Sequence, residues 1–528
     1  MKKLRRLLMP ALLVALLGGT APLASAQGSP VWQGFHRESE SLFQQGKFDA
    51  ARVKAQQALQ VAEQDGGPDS PAVFVSLNVL GASLASLGRY DEALSALKRA
   101  IAVVEKGGGP EHRALVMPLI TYAGVLMLMG RHAEAEPTLA RALAITEKTS
   151  GPESRDVATI LDIKAGVLER MSRPRDAEPL RTRAVSILEK VHGPGSPELA
   201  YGLLGLARLY SDLGRFEEAG KASQRALGIL EKALGPDHFT TGLALAVQGR
   251  ILLAQDAWEQ ADPILQRALR IGEASRGADN PENGELRAML MHVSLRKGDL
   301  PRAEGYARRV LAIDEKAFGP DSPRVASALN NLAMVYRAEK RYADAHALYE
   351  RALLSIAKSL GRDNPEYAKM LNNHAFLHDV QGQQKEAEAL FRQALAINDK
   401  ALGATHPESA ACADNLCGNL AAQGRPAEAE PFCLRALGVW ETIHGADHPR
   451  VAGAALQLGK LRAAQGDHAG AGAYYTRARS ILEQSAGQGS LDLAAVLEAQ
   501  SVSMQALGRG AEAAPLLKRA AAIREARK

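Results

Sequence analysis

Apolar residues along most of the chain recur at spacings of three and four, the period of amphipathic helices. In 342–360, for example, Ala345, Leu348, Ala352 and Ile356 form one stripe. No segment alternates with period two for long enough to read as a strand. The helices themselves recur. Turn residues stand at 46, 88, 130, 172, 214, 256, 298, 340, 382, 424, 466 and 508, twelve points 42 residues apart without an insertion. Five residues after each point stands Ala, and twelve after it Ala again, with Val310 the one exception. Twenty-one residues after the point, Gly occupies all eleven connectors, from Gly67 to Gly487.

This spacing predicts helix, inner turn, helix, connector. Gly in the connector suits a helix end whose backbone turns left-handed. Three residues further on stands Ser, Asn or His, and Pro follows in seven of the eleven connectors. Ser70, Ser154, Ser196, Asn280, Ser322, Asn364 and Ser490 read as good N-caps, and His112, His238, His406 and His448 as weaker ones. Two helices approach closely only where side chains are small. The first helix of each pair carries a small residue where it should meet the Ala pair of the second, as at Gly81, Ala207, Ala333, Ala375 and Cys417. Met291 and Ser501 depart from that pattern.

These Ala registers, with connectors such as Gly319-Pro320-Asp321-Ser322-Pro323, resemble the tetratricopeptide repeat (TPR). The 42-residue unit is similar to the kinesin-light-chain type, above all from Arg324 through Leu329–Ala333 to Arg351–Leu353 and Gly361. The resemblance covers about residues 30–526. It implies an all-α fold, a right-handed superhelical solenoid of about twelve helix-turn-helix repeats. HEAT and armadillo repeats have similar periods, but the two Ala registers favour TPR.

The first 26 residues read differently. Lys2, Lys3, Arg5 and Arg6 precede the apolar run Leu7–Leu17, and Ala24-Ser25-Ala26 closes the segment, the three parts of a secretory signal. The domain reading is therefore a signal peptide over 1–26 and a continuous repeat array over 27–528, secreted or periplasmic. No later apolar run is long enough to span a membrane. The whole chain has 64 Lys and Arg against 59 Asp and Glu. Without the four basic residues of the signal the balance is 60 to 59, which offers no general field for a phosphate backbone. A nucleic-acid partner is not expected.

Neither a phosphate loop, a dinucleotide fingerprint, a nucleophile elbow nor a zinc-protease helix is present, and no stretch of domain size lies outside the repeats. No enzyme activity, catalytic residue, cofactor or metal is expected. His374 and His378 share a helix face, but no third ligand stands near them in sequence. They read as hydrogen-bonded packing residues facing the partner helix, with a metal or enzymatic role around them as the last alternative. Cys412, Cys417 and Cys433 read as three small buried thiols. A bridge from Cys433 to Cys412 or Cys417 is the alternative.

The resemblance implies that the first helix of each pair lines a concave groove for a protein or peptide segment. The groove positions, 29, 32, 36 and 39 residues after an inner turn, hold Asn78, Arg208, Arg250, His292, Asn330, Arg337, Lys369, Asn372, Asp379 and Asp414, with apolar neighbours Tyr201, Met334 and Phe376. Asn330, Asn372 and Asp414 stand at equivalent points of successive repeats and suggest a ladder facing an extended peptide. The favoured function is an exported, non-catalytic scaffold that binds such a segment. A structural or assembly component of an envelope or export complex, using exterior faces, is the alternative. The sequence names neither the partner nor the oligomeric state. Export predicts that the native protein begins at Gln27; N-terminal sequencing that finds Met1 on the cellular protein would refute the signal reading.

Overall fold

The computed structural model describes residues 28–485 and 490–526. The signal segment and its expected cleavage point after Ala26 lie outside the described residues. The chain divides into two compact units, 1–194 and 195–528, each described here by itself. Among the described residues are 24 α-helices, paired across all twelve inner turns, and no strand. Two first helices are shortened to 13 residues, Val116–Leu128 and Gly284–Arg296, each preceded by one 3-10 turn. None of these helices is long and apolar enough to cross a membrane.

Every inner-turn residue has positive φ, including Ser172 at 58°, Asp256 at 60° and Lys340 at 61°. The next residue's N–H reaches back five positions and the turn residue's own N–H reaches back three. At the turn of Gly88 these are Arg89 N to Leu84 O at 2.9 Å and Gly88 N to Ala85 O at 3.0 Å. This Schellman closure satisfies the last helical carbonyls and tolerates a side chain at modest cost.

The connector glycines are different. Gly67 has φ 76° and ψ 172°, and Gly403 φ 95° and ψ 155°. Positive φ with extended ψ is a region that essentially only glycine enters. It is not the left-handed helical conformation expected from the sequence. The difference explains why connectors admit nothing but Gly while inner turns accept Ser, Asp and Lys. Nothing lies within 4 Å of a Cβ built at Gly67 or Gly403, so the requirement is one of backbone alone.

The caps follow the sequence with one exception. Ser154, Ser196, Ser322 and Ser490 accept from the N–H three residues on. The four connector histidines accept through Nδ1 at 3.1–3.2 Å. Ser70 makes no such bond; its hydroxyl donates to Ala62 O of the preceding helix at 3.3 Å.

All twelve Ala residues five positions after the inner turns have 0% exposure. The small residue of the first helix, however, does not simply face the Ala pair. It receives the side chain nine positions after the turn. A Cβ on Gly81 would come within 2.6 Å of Leu97 Cγ, on Gly249 within 2.3 Å of Leu265 Cδ2, and on Gly459 within 2.5 Å of Tyr475 Cε1. The contact is a knob seated in a hole, with the flanking Ala letting the backbones approach. Met291 now has its reason: the opposite position holds Ala307, and the two join one buried cluster. Large and small have exchanged sides. At Ser501 the 0%-exposed hydroxyl donates to Leu497 O at 2.7 Å and to Ala513 O across the pair at 3.3 Å.

A second contact repeats between neighbouring units of the array. Arg eleven positions after an inner turn reaches the second helix and connector of the preceding repeat. Arg183 donates to Pro152 O at 2.9 Å and pairs with Glu147 at 2.6 Å; Arg267 donates to Pro236 O at 2.8 Å and pairs with Glu231 at 2.8 Å. Such half-exposed pairs contribute about 0–1 kcal/mol each, so they fix register more than stability.

Replacing Gly403 by Ala should cost about 1–3 kcal/mol, while Gly382→Asn at an inner turn should cost well under that. Hydrogen-exchange mass spectrometry of the full chain reads both. Protection over 384–422 should fall in the first variant and hold in the second.

Candidate functional site

The face carried by the first helices is best developed in the second unit, on helices Pro323–Ala338, Pro365–Val380 and Pro407–Ala422. The structure brings Asn330, Asn372 and Asp414 to matching points of these three helices, but the amides are not free. Asn373 Nδ2 donates to Asn330 Oδ1 at 2.7 Å, and Asn415 Nδ2 to Asn372 Oδ1 at 2.9 Å. Each rung joins one repeat to the next. Asn330 is buried, so its oxygen needs that partner. The expected ladder exists, but the Oδ1 atoms of Asn330 and Asn372 serve the array itself.

Asp414 ends the series without such a rung. Its Oδ1 is buried with no hydrogen-bond partner, and burial pushes the carboxyl up to about 6, with the Arg450 charge acting the other way.

Around these rungs the face is mixed. Phe376 is 40% exposed, and the Arg337 guanidinium lies over its ring at 4.6 Å. Lys369 is exposed on the same helix. Asp379 accepts from Asn419 Nδ2 at 2.8 Å and is thereby drawn into repeat-to-repeat bonding. Arg208 is exposed near the 53%-exposed Tyr201. Arg250 is ion-paired with Glu285. His292 is half-buried, and burial lowers its pKa. Asn78 belongs to the first unit, where it is buried with Oδ1 unpartnered. Lys369, Phe376, Arg208 and Tyr201 are thus exposed, with Arg337 over the Phe376 ring and the Tyr201 hydroxyl 3.5 Å from Thr240 Oγ1, whereas Asn330, Asp379 and Arg250 are committed to the protein.

Asn331, Asn373 and Asn415, one residue beyond the positions named from sequence, were missed. The signal was there in the doublets Asn330-Asn331, Asn372-Asn373 and Asp414-Asn415 at 42-residue spacing.

The cysteines are partly paired. Cys417 and Cys433 form a disulfide, with Cα atoms 5.4 Å apart, and Cys412 is free and buried. The reading as three thiols is corrected. Cys417 occupies the small position of its first helix and Cys433 the knob position of the second, so the crossing itself brings the sulfurs together. Asn398 Nδ2 lies 3.4 Å from the Cys412 sulfur, and burial pushes that thiol up to about 12.

His374 and His378 are hydrogen-bonded, as the sequence reading has it, to His346 and Gln383. His374 faces the second helix of the preceding repeat, where His346 supplies the third imidazole that the sequence reading did not find. A 28-residue separation across a connector hid it.

Models of the tetratricopeptide repeat match 36–106, 123–156 and 409–484, and a model of the MalT-like TPR region matches 152–401. The chain belongs to the tetratricopeptide repeat family. No curated protein sequence matches it. Among solved structures, the TPR array is similar to BtubC (BKLC) from P. vanneervenii, at 22% identity over 45% of this chain and 91% of that one, TM-score 0.37. It is similar to nearly identical TPR-like repeats ascribed to a kinesin light chain of Podosopora anserina, at 23% identity over 39% and 98%, TM-score 0.34. It is also similar to a Rap protein solved with competence and sporulation factor, at 18% identity over 71% and 99%, TM-score 0.45. TPR proteins bind protein partners.

The rungs predict coupling. In a double-mutant cycle on Asn330→Ala and Asn373→Ala, denaturant unfolding should show an interaction of about 0.5–1.5 kcal/mol between the two positions. Additive losses would show that the rung contributes nothing.

Proposed function

We propose that this TPR protein is an exported, non-catalytic scaffold that captures a polar protein or peptide segment on the first-helix face of its second unit. The observation that carries the reading is Phe376: a large apolar side chain left 40% exposed one turn beyond the asparagine rung, with the exposed Lys369 one turn before it on the same helix. An apolar anchor rimmed by donors is the arrangement expected where a partner buries an aromatic residue. Because the Asn rungs already stiffen this stretch, little ordering cost remains to be met on binding.

Export rests on the basic start, the short apolar run and Ala24-Ser25-Ala26. The Cys417–Cys433 disulfide agrees with that address, since such bonds persist in oxidising compartments.

Crosslinking in the envelope fraction should supply the partner. Its titration against wild type and a Lys369→Ala/Phe376→Ala variant should then show an affinity loss of about tenfold or more, with helix content unchanged by circular dichroism. Equal affinity with intact helices would place binding on exterior faces and favour the assembly role.

A further inference from the structure

Three imidazoles meet between consecutive repeats of the second unit. His346 projects from helix Tyr342–Ser359, and His374 and His378 from helix Pro365–Val380. One ligand atom from each lies within 4.8 Å of the others. The ring centroids are 4.6–5.1 Å apart. His374 is buried, and His346 and His378 are half-buried, so the cluster has a closed side and an open side.

The outer contacts govern which ring nitrogens can present a lone pair. His378 Nδ1 lies 2.6 Å from Gln383 Oε1 and donates to it, which leaves Nε2 as the free lone pair. His346 Nε2 lies 2.8 Å from the Gln381 side-chain amide, and its Nδ1 lies 2.8 Å from His374 Nε2. Gln381 Nε2 also donates to Leu377 O at 3.2 Å; turning the amide gives up that bond, lets its oxygen accept the Nε2 proton of His346 and leaves Nδ1 bare. Tyr349 stacks on His374 at 5.4 Å and fixes that ring. Ligating histidines typically hand their second ring N–H to such a carbonyl, which sets the tautomer and the direction of the lone pair.

We infer that His346 Nδ1, His374 Nε2 and His378 Nε2 form a three-histidine site for a divalent transition metal, with zinc as the fitting ion and one coordination position open to the outside. A tetrahedral zinc with bonds of about 2.0–2.1 Å needs nitrogens about 3.3 Å apart. The 2.8 Å pair must therefore part by about half an ångström, and the wider pairs must close. Small rotations of side chains on rigid helices suffice. With Gln381 so turned, His346 keeps its proton on Nε2 and the proton between the two rings is His374's own; it moves to His374 Nδ1 as Nε2 takes the ion, with no net proton release. Three imidazole nitrogens suit zinc rather than calcium or magnesium, which prefer oxygen. The site joins two repeats and is separate from the Phe376 face in its chemistry, so it stands or falls independently of the partner reading.

The test uses the untagged full chain, stripped with chelator, dialysed and titrated with zinc against a competing chromophoric chelator. One zinc per chain is expected, with cobalt giving the visible absorption of a tetrahedral site. The His346→Gln/His378→Gln variant should lose at least about 100-fold in zinc affinity, with helix content unchanged. If that variant loses helix content, His346→Gln alone gives the same reading. Equal zinc affinity in wild type and a folded variant, or no stoichiometric binding by wild type, would overturn the site.

Discussion

Two helices can lie side by side at short range only if something small stands where their axes cross, and that requirement recurs twelve times in this chain. Ala at two registers of the second helix and a hole in the first set the distance. The knob between those Ala residues, whether Leu97, Tyr349, Phe391 or Tyr475, then fills it. The rest depends on this spacing. It fixes where the next repeat can stack, and so which side chains meet across the seam. The swap at Met291 and Ala307 shows that the constraint is on summed volume, not on the identity of either side.

Much of this was readable from sequence because it is local. Turns, caps and the packing stripe each involve residues within one repeat, and a fixed period repeats the message. What was not legible spans repeats. The Arg–Glu clamps recur in the same 42-residue register, yet on one helix each charge looks like ordinary solvated surface. The asparagine rungs belong to two helices at once, so amides that looked free proved to be bonded. His346 is invisible beside His374 until a connector is folded. The connector glycines were correctly located but assigned the wrong backbone region, because composition reports that φ is positive and not what ψ does.

The candidate face is correspondingly a remainder. Several residues at its positions are bonded within the array, and the exposed remainder includes Lys369 and Phe376, the latter with Arg337 over its ring. An array of this kind trades recognition groups against cohesion residue by residue.

The crosslink between Cys417 and Cys433 acts on a different property. A chain of units that contact only their neighbours opens from its ends, each repeat peeling away when its own crossing and one seam are lost. A repeat whose two helices are covalently joined cannot splay at its crossing, whatever happens beyond it. Opening that approached from the C-terminal side would meet, at helices Pro407–Ala422 and Pro426–His444, a crossing that cannot come apart by itself. The bond thus makes that repeat open or stay as one piece, so its loss requires breaking a seam with a neighbour, the Asn415–Asn372 rung included.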